Sequence, residues 1–186
     1  LDTGVDRDHL FLRGKVVGEA CFGTNGKGRQ SVFRALCPTG QAKETGPGSA
    51  KPCRSTLGCS HGTHVAGIIA GSGEQFTGVS AAAKIVAVQV FNAVEGPACG
   101  RAKKCIVSLA SDVIRGLEWV YRNRERYGIG VVNLSIGGKR FKQICDQSPL
   151  RRIFSLIRRA EIVSVAASGN NGSDDAVSSP ACLTDV

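Results

Sequence analysis

A chain of 186 residues with an ordinary apolar fraction is long enough for one domain with a real core. No run approaches 18 uninterrupted apolar residues, so no membrane partner is expected. Lys and Arg outnumber Asp and Glu by 24 to 15, a net charge of +9, but the cations are scattered and only 5% of residues are aromatic. A nucleic-acid surface needs a patch and stacking rings, so no nucleic-acid partner is expected either.

The first residues, Leu1-Asp2-Thr3-Gly4, have neither the basic nor the apolar region of a signal peptide. The chain also contains no Met, and these features together suggest a piece of a longer polypeptide. Asp-Thr-Gly is ordinary turn chemistry. It is also the tripeptide of aspartic proteases, but those need two such carboxylates and there is no second copy. Residues 21 to 59 are rich in Gly, Pro, Ser and Lys and carry four cysteines. Such a segment makes little core, so a Cys-rich surface insertion held by disulfides is expected there.

His61-Gly62-Thr63-His64-Val65-Ala66-Gly67 comes next. Its small residues let a helix begin at His61 and pack closely on a sheet, leaving the imidazole at the sheet's carboxyl edge. An imidazole there is suited to taking a proton near neutral pH, although a lone His in a Gly-rich turn is more often structural. Residues 71 to 78 hold one carboxylate, Glu74, too few oxygen ligands to predict a calcium loop. Lys84 to Phe91 reads as a strand.

Residues 106 to 127 read as a helix, with Leu109, Val113, Leu117 and Val120 forming an apolar stripe and Gly128 standing where C′ glycines end helices. Residues 130 to 135 form a short buried strand. Ser148 and Pro149 read as N-cap and N1 of a helix whose apolar face is Leu150, Ile153, Phe154 and Ile157. Residues 161 to 167 are another apolar strand, followed by Ser168-Gly169-Asn170. Asn170 is either a turn asparagine in left-handed geometry or an amide placed to donate to a developing oxyanion.

Apolar strands alternating with amphipathic helices give an α/β fold, with a parallel sheet covered by helices. The eight cysteines lack Cys-x-x-Cys spacing and histidine partners, so no metal site is expected and disulfides in an oxidising compartment are. Loop closure and proximity suggest Cys99 with Cys105, Cys37 with Cys53, Cys21 with Cys59, and Cys145 with Cys182.

Four motifs in order then carry a specific resemblance. Asp2-Thr3-Gly4, residues 61 to 67, Asn133-Leu134-Ser135-Ile136-Gly137-Gly138 and Ala167-Ser168-Gly169-Asn170 resemble the subtilisin family of serine proteases, the subtilases. The resemblance implies a three-layer fold, truncated here at both ends, so that residues 1–186 are a partial peptidase catalytic domain. It implies that Asp2 orients and stabilises the imidazolium, His61 is the general base, and Asn170 the oxyanion donor. Ser135, Ile136 and Gly137 would line the cleft and pair with an extended peptide.

Two departures qualify the family pattern. Gly-Thr-Ser, the nucleophile motif, is absent from the 186 residues, so no acyl-enzyme is expected from this piece alone. The chain also opens one residue before Asp2, which would leave the Asp2–His61 hydrogen bond on a frayed terminus. The implied function is a secreted or extracytoplasmic serine endopeptidase acting on polypeptides, with a propeptide or protein inhibitor as a further partner and no cofactor expected. One alternative is a catalytically dead subtilase fold kept for binding or scaffolding. Another is a disulfide-stapled secreted recognition module working through residues 21 to 59 and the basic surface.

Overall fold

The computed structural model describes residues 1–28, 30–53 and 58–186, and divides into two compact units. The expected insertion at 21–59 therefore lies partly outside the described residues. One unit runs from Asp2 to Asp112; the other comprises Leu1 and residues 113–186.

In the first unit, β1 (Val16–Phe22) lies between parallel β5 (Ile85–Gln89) and antiparallel β4 (Lys43–Thr45). A second sheet is antiparallel throughout, in the order β2 (Gly26–Gly28), β3 (Ser31–Ala35), β6 (Phe91–Glu95), β7 (Lys104–Ser108). Helix α1 (His61–Ala70) begins at the residue its motif predicts. Its buried side is Gly62, Ala66, Gly67 and Ala70, spaced to fall on one face, and small enough for close approach. Leu12, Val16, Ala50, Ala66 and Ala87 pack with Val5 as the core beneath it. Cys21, Phe22, Cys37 and Ala50 are all buried, so residues 21 to 59 contribute more core than their composition suggests.

Two elements differ from the spacing of the sequence. The apolar run from 84 to 91 is divided: β5 stops at Gln89, and Phe91 opens β6 in the other sheet. The fully buried Gln89 side chain caps this break, accepting from the Phe91 N–H and donating to the Phe91 carbonyl at 3.2 Å. Residues 106 to 108 are strand rather than the first turn of a helix. Cys105 to Ser108 pair with β6, and this long-range ladder overrides the helical spacing.

Helix α2 (Ala110–Tyr127) thus starts four residues later than its apolar spacing predicts and continues into the second unit. Val113, Leu117 and Val120 are buried as expected. Its end is a Schellman closure: Gly128 has φ +60°, its N–H donates to the Glu125 carbonyl, and the Ile129 N–H reaches the Arg124 carbonyl at 2.8 Å.

In that unit β8 (Val131–Leu134) and β10 (Val163–Ala166) are a parallel pair, and β9 (Arg140–Phe141) pairs antiparallel with β11 (Val177–Ser178). Helix α3 (Arg151–Arg159) packs on β10 and buries Ile153, Phe154 and Ile157. It begins two residues beyond the predicted N1. Ser148 does act as a cap, but of the preceding turn, its Oγ accepting from the Leu150 N–H at 3.3 Å.

All eight cysteines are paired. Cys99–Cys105 and Cys145–Cys182 are as expected. The other two differ: the bonds are Cys21–Cys37 and Cys53–Cys59, not Cys21–Cys59 and Cys37–Cys53. Cys21 sits in β1, whose antiparallel pairing with β4 fixes it opposite Glu44. The chain between those strands returns Cys37 to it, while Cys53 and Cys59 close a short loop ahead of α1.

Candidate active site

Asp2 is held by backbone on both sides. Its N–H donates to the Val88 carbonyl at 3.0 Å, and its carbonyl accepts from the Val90 N–H at 3.1 Å, a parallel bridge to Gln89. The residue is only 7% exposed, so the frayed terminus expected from its position does not occur. Two ladder hydrogen bonds and burial fix it instead.

The Asp2 carboxylate then faces α1. Its Oδ1 accepts from the Thr3 N–H at 2.7 Å and lies 2.7 Å from His61 Nδ1. The His61 side chain is half exposed, whereas that of Asp2 is 10% exposed. The imidazole therefore has one edge on a buried carboxylate and the rest toward solvent, the arrangement of an oriented base open to a reactant.

Thr3, which sequence reasoning passed over, ties the two segments together. Its hydroxyl donates to the Cys59 carbonyl at 3.1 Å and accepts from the Gly62 N–H at 3.0 Å, satisfying an otherwise orphaned donor in the first turn of α1. The signal was present as the middle residue of Asp-Thr-Gly. Gly4 completes the turn at φ +102°, and a Cβ there would lie 2.5 Å from the Lys51 carbonyl oxygen, so this position requires glycine on both counts.

The remaining predicted residues belong to the second unit. Leu134 and Ala166 are register partners at the ends of parallel β8 and β10, and the Ala167 N–H donates to the Leu134 carbonyl at 3.1 Å. Ser135-Ile136-Gly137 and Ser168-Gly169-Asn170 thus leave adjacent strands at the same carboxyl edge, where open α/β sheets place their sites. Ser135 Oγ lies 3.1 Å from Asn133 Nδ2, Ile136 is buried, and Gly137 is exposed. Gly169 has φ +117°, and a Cβ there would meet Ser178 Oγ at 2.4 Å. The Ser178 N–H donates to the Ser168 carbonyl at 2.7 Å, so β11 holds the turn that leaves Asn170 exposed.

Among the described residues no helix is long and apolar enough to cross a membrane.

The chain matches the model of the subtilase family over residues 1–186. It is 28% identical over 189 aligned positions to the subtilase-type proteinase psp3 of Schizosaccharomyces pombe, covering 100% of this chain and 32% of that protein. A subtilisin-like protease of Coccidioides posadasii is 35% identical over 132 positions, covering 68% of this chain and 27% of that protein. The structure of the Clostridium perfringens CspB protease superposes with a TM-score of 0.57 at 21% identity, over 93% of this chain and 35% of that one, a likeness of fold. The chain spans about a third of the length of these relatives.

Proposed function

Because the chain belongs to the subtilase family, we propose that these residues form part of a serine endopeptidase in which Asp2 and His61 are two members of a catalytic triad. The observation that carries this reading is the 2.7 Å contact between His61 Nδ1 and the buried Asp2 Oδ1. An ionised carboxylate only accepts, so His61 Nδ1 carries the proton and Nε2 presents its lone pair. That tautomer is the one that takes a proton from a serine hydroxyl as it attacks a peptide carbonyl. Asp2 then stabilises the imidazolium, and the imidazolium returns the proton to the leaving amine.

The nucleophile is assigned to a part of the polypeptide outside these 186 residues. The absence of Gly-Thr-Ser within them supports this, as does the greater length of the relatives. Asn170 is assigned as an amide donor to the oxyanion and Ser135-Ile136-Gly137 as a rim that pairs with the substrate backbone. No cofactor has a role in this scheme. Polypeptides are the substrates, and the four disulfides support an extracytoplasmic setting.

The test is to treat the whole polypeptide with a fluorophosphonate and assay hydrolysis of a denatured protein. Labelling of a single serine, abolished together with hydrolysis by His61→Ala, is expected. A correctly folded polypeptide that neither labels nor cleaves would overturn the proposal in favour of a subtilase fold retained for binding.

A further inference from the structure

Glu19 is a carboxylate in the middle of β1 and only 3% exposed, a placement that costs free energy unless the charge is matched. Its partners are specific. Glu19 Oε2 accepts from the Arg7 guanidinium and, at 2.9 Å, from the Gly48 N–H, while its backbone carbonyl accepts from the Gly46 N–H at 3.0 Å. The catalytic scheme above uses none of these residues.

The two partners lie on either side of the aspartate loop. Arg7 follows Asp2 by five residues. Gly48 precedes Ala50 by two, and the Ala50 carbonyl accepts from the Val5 N–H at 2.8 Å. A Cβ on Gly4 would lie 2.8 Å from the Ala50 oxygen and 2.5 Å from the Lys51 oxygen, so that strand of chain is the wall against which Gly4 and Val5 rest. One carboxylate therefore holds the outgoing end of the loop through Arg7 and the loop's supporting wall through Gly48. The held segment in turn abuts the histidine helix, where a Cβ on Gly62 would lie 2.3 Å from the Gly4 carbonyl oxygen.

We infer that Glu19 is a positioning residue for the Asp2–His61 pair, acting through Arg7 and the Gly48 backbone to fix the loop that carries Asp2. Burying the Glu19 carboxylate is no route to stability in itself, since a well-packed apolar side chain at 19 would serve that as well. What the carboxylate adds is a defined geometry at two points, Arg7 and the Gly48 N–H, and catalytic contacts lose rate steeply when their support is loosened. The inference rests on the assignment of Asp2 and His61 as catalytic.

The experiment compares wild type, Glu19→Gln, Arg7→Ala and Arg7→Lys in the whole polypeptide. It records the low-field proton resonance of His61 Nδ1–H together with kcat and KM for a peptide substrate. Arg7→Ala and Glu19→Gln are expected to lose the resonance to solvent exchange and to lower kcat by about 10- to 100-fold with KM within twofold. Arg7→Lys is expected to restore most of both. Folded variants whose thermal stability falls while the resonance and kcat stay at wild-type values would overturn the inference. Arg7 is one-third exposed, so Arg7→Ala decides the matter even if Glu19→Gln does not fold. If the wild type shows the resonance but no hydrolysis, the proposed peptidase function fails, while the resonance alone still tests the role of Glu19.

Discussion

Gly62 and Gly4 meet backbone to backbone: a Cβ at residue 62 would lie 2.3 Å from the Gly4 carbonyl oxygen, and 3.0 Å from both Cβ and Oδ1 of Asp2. The histidine helix and the aspartate loop thus approach as closely as they do because the helix carries no side chain at residue 62. Gly62 N–H to Thr3 Oγ1, at 3.0 Å, runs through the same gap.

Gly62→Ala is accordingly expected to push the first turn of α1 away from the Asp2 loop. Overpacking against backbone costs about 1–3 kcal/mol, since backbone yields less than a side-chain tip. Thermal unfolding measures the loss, and the His61 Nδ1 proton resonance should disappear with it. Unchanged stability and an unchanged resonance would show that the helix relaxes without penalty.

Asp2→Asn preserves the shape of the loop but replaces an acceptor-only group with an amide that can donate to Nδ1, favouring the wrong imidazole tautomer. If Asp2 acts as proposed, kcat of the whole polypeptide should fall by about 10⁴-fold with the fold intact. A loss below tenfold would remove Asp2 from the triad.

The four disulfides close loops of different size, with separations of 6, 6, 16 and 37 residues. Chain-entropy reasoning assigns about 4 kcal/mol to Cys145–Cys182 and about 2 kcal/mol to Cys99–Cys105. Paired Cys→Ala replacements followed by denaturant unfolding should reproduce that order. Peptide mapping of the unreduced protein should recover Cys21 with Cys37 and Cys53 with Cys59.

Asp146 accepts from both the backbone N–H and the hydroxyl of Thr184, at 3.1 and 2.9 Å, beside the Cys145–Cys182 bond. The Thr184 N–H is the largest influence holding its carboxyl below the usual range, with the Thr184 hydroxyl and Arg151 acting in the same direction. A carboxylate whose folded pKa is depressed contributes stability above its unfolded pKa and loses it as pH falls through the folded value. The Thr184 amide resonance should therefore stay constant from neutral pH to the ordinary carboxylate range and move only below it. Asp146→Asn should abolish that acid transition.

The order of motifs, the start of α1 at His61, the apolar stripe Val113-Leu117-Val120 and the glycine stop at Gly128 were all legible in the sequence. The last three depend on residues within a few turns of one another, where spacing and backbone preference act directly. Tertiary structure alone decided the partners of Cys21 and Cys53, because the cost of loop closure changes only slowly with loop length while the β1–β4 pairing fixes what lies beside Cys21. It also decided that the run from 84 to 91 divides between two sheets and that residues 104 to 108 form a strand, since a distant ladder outweighs local propensity. The burial of Asp2 belongs to the same class. Beside the local bond from the Thr3 N–H, Asp2 is held by Val88, Val90 and His61, each brought there by the fold.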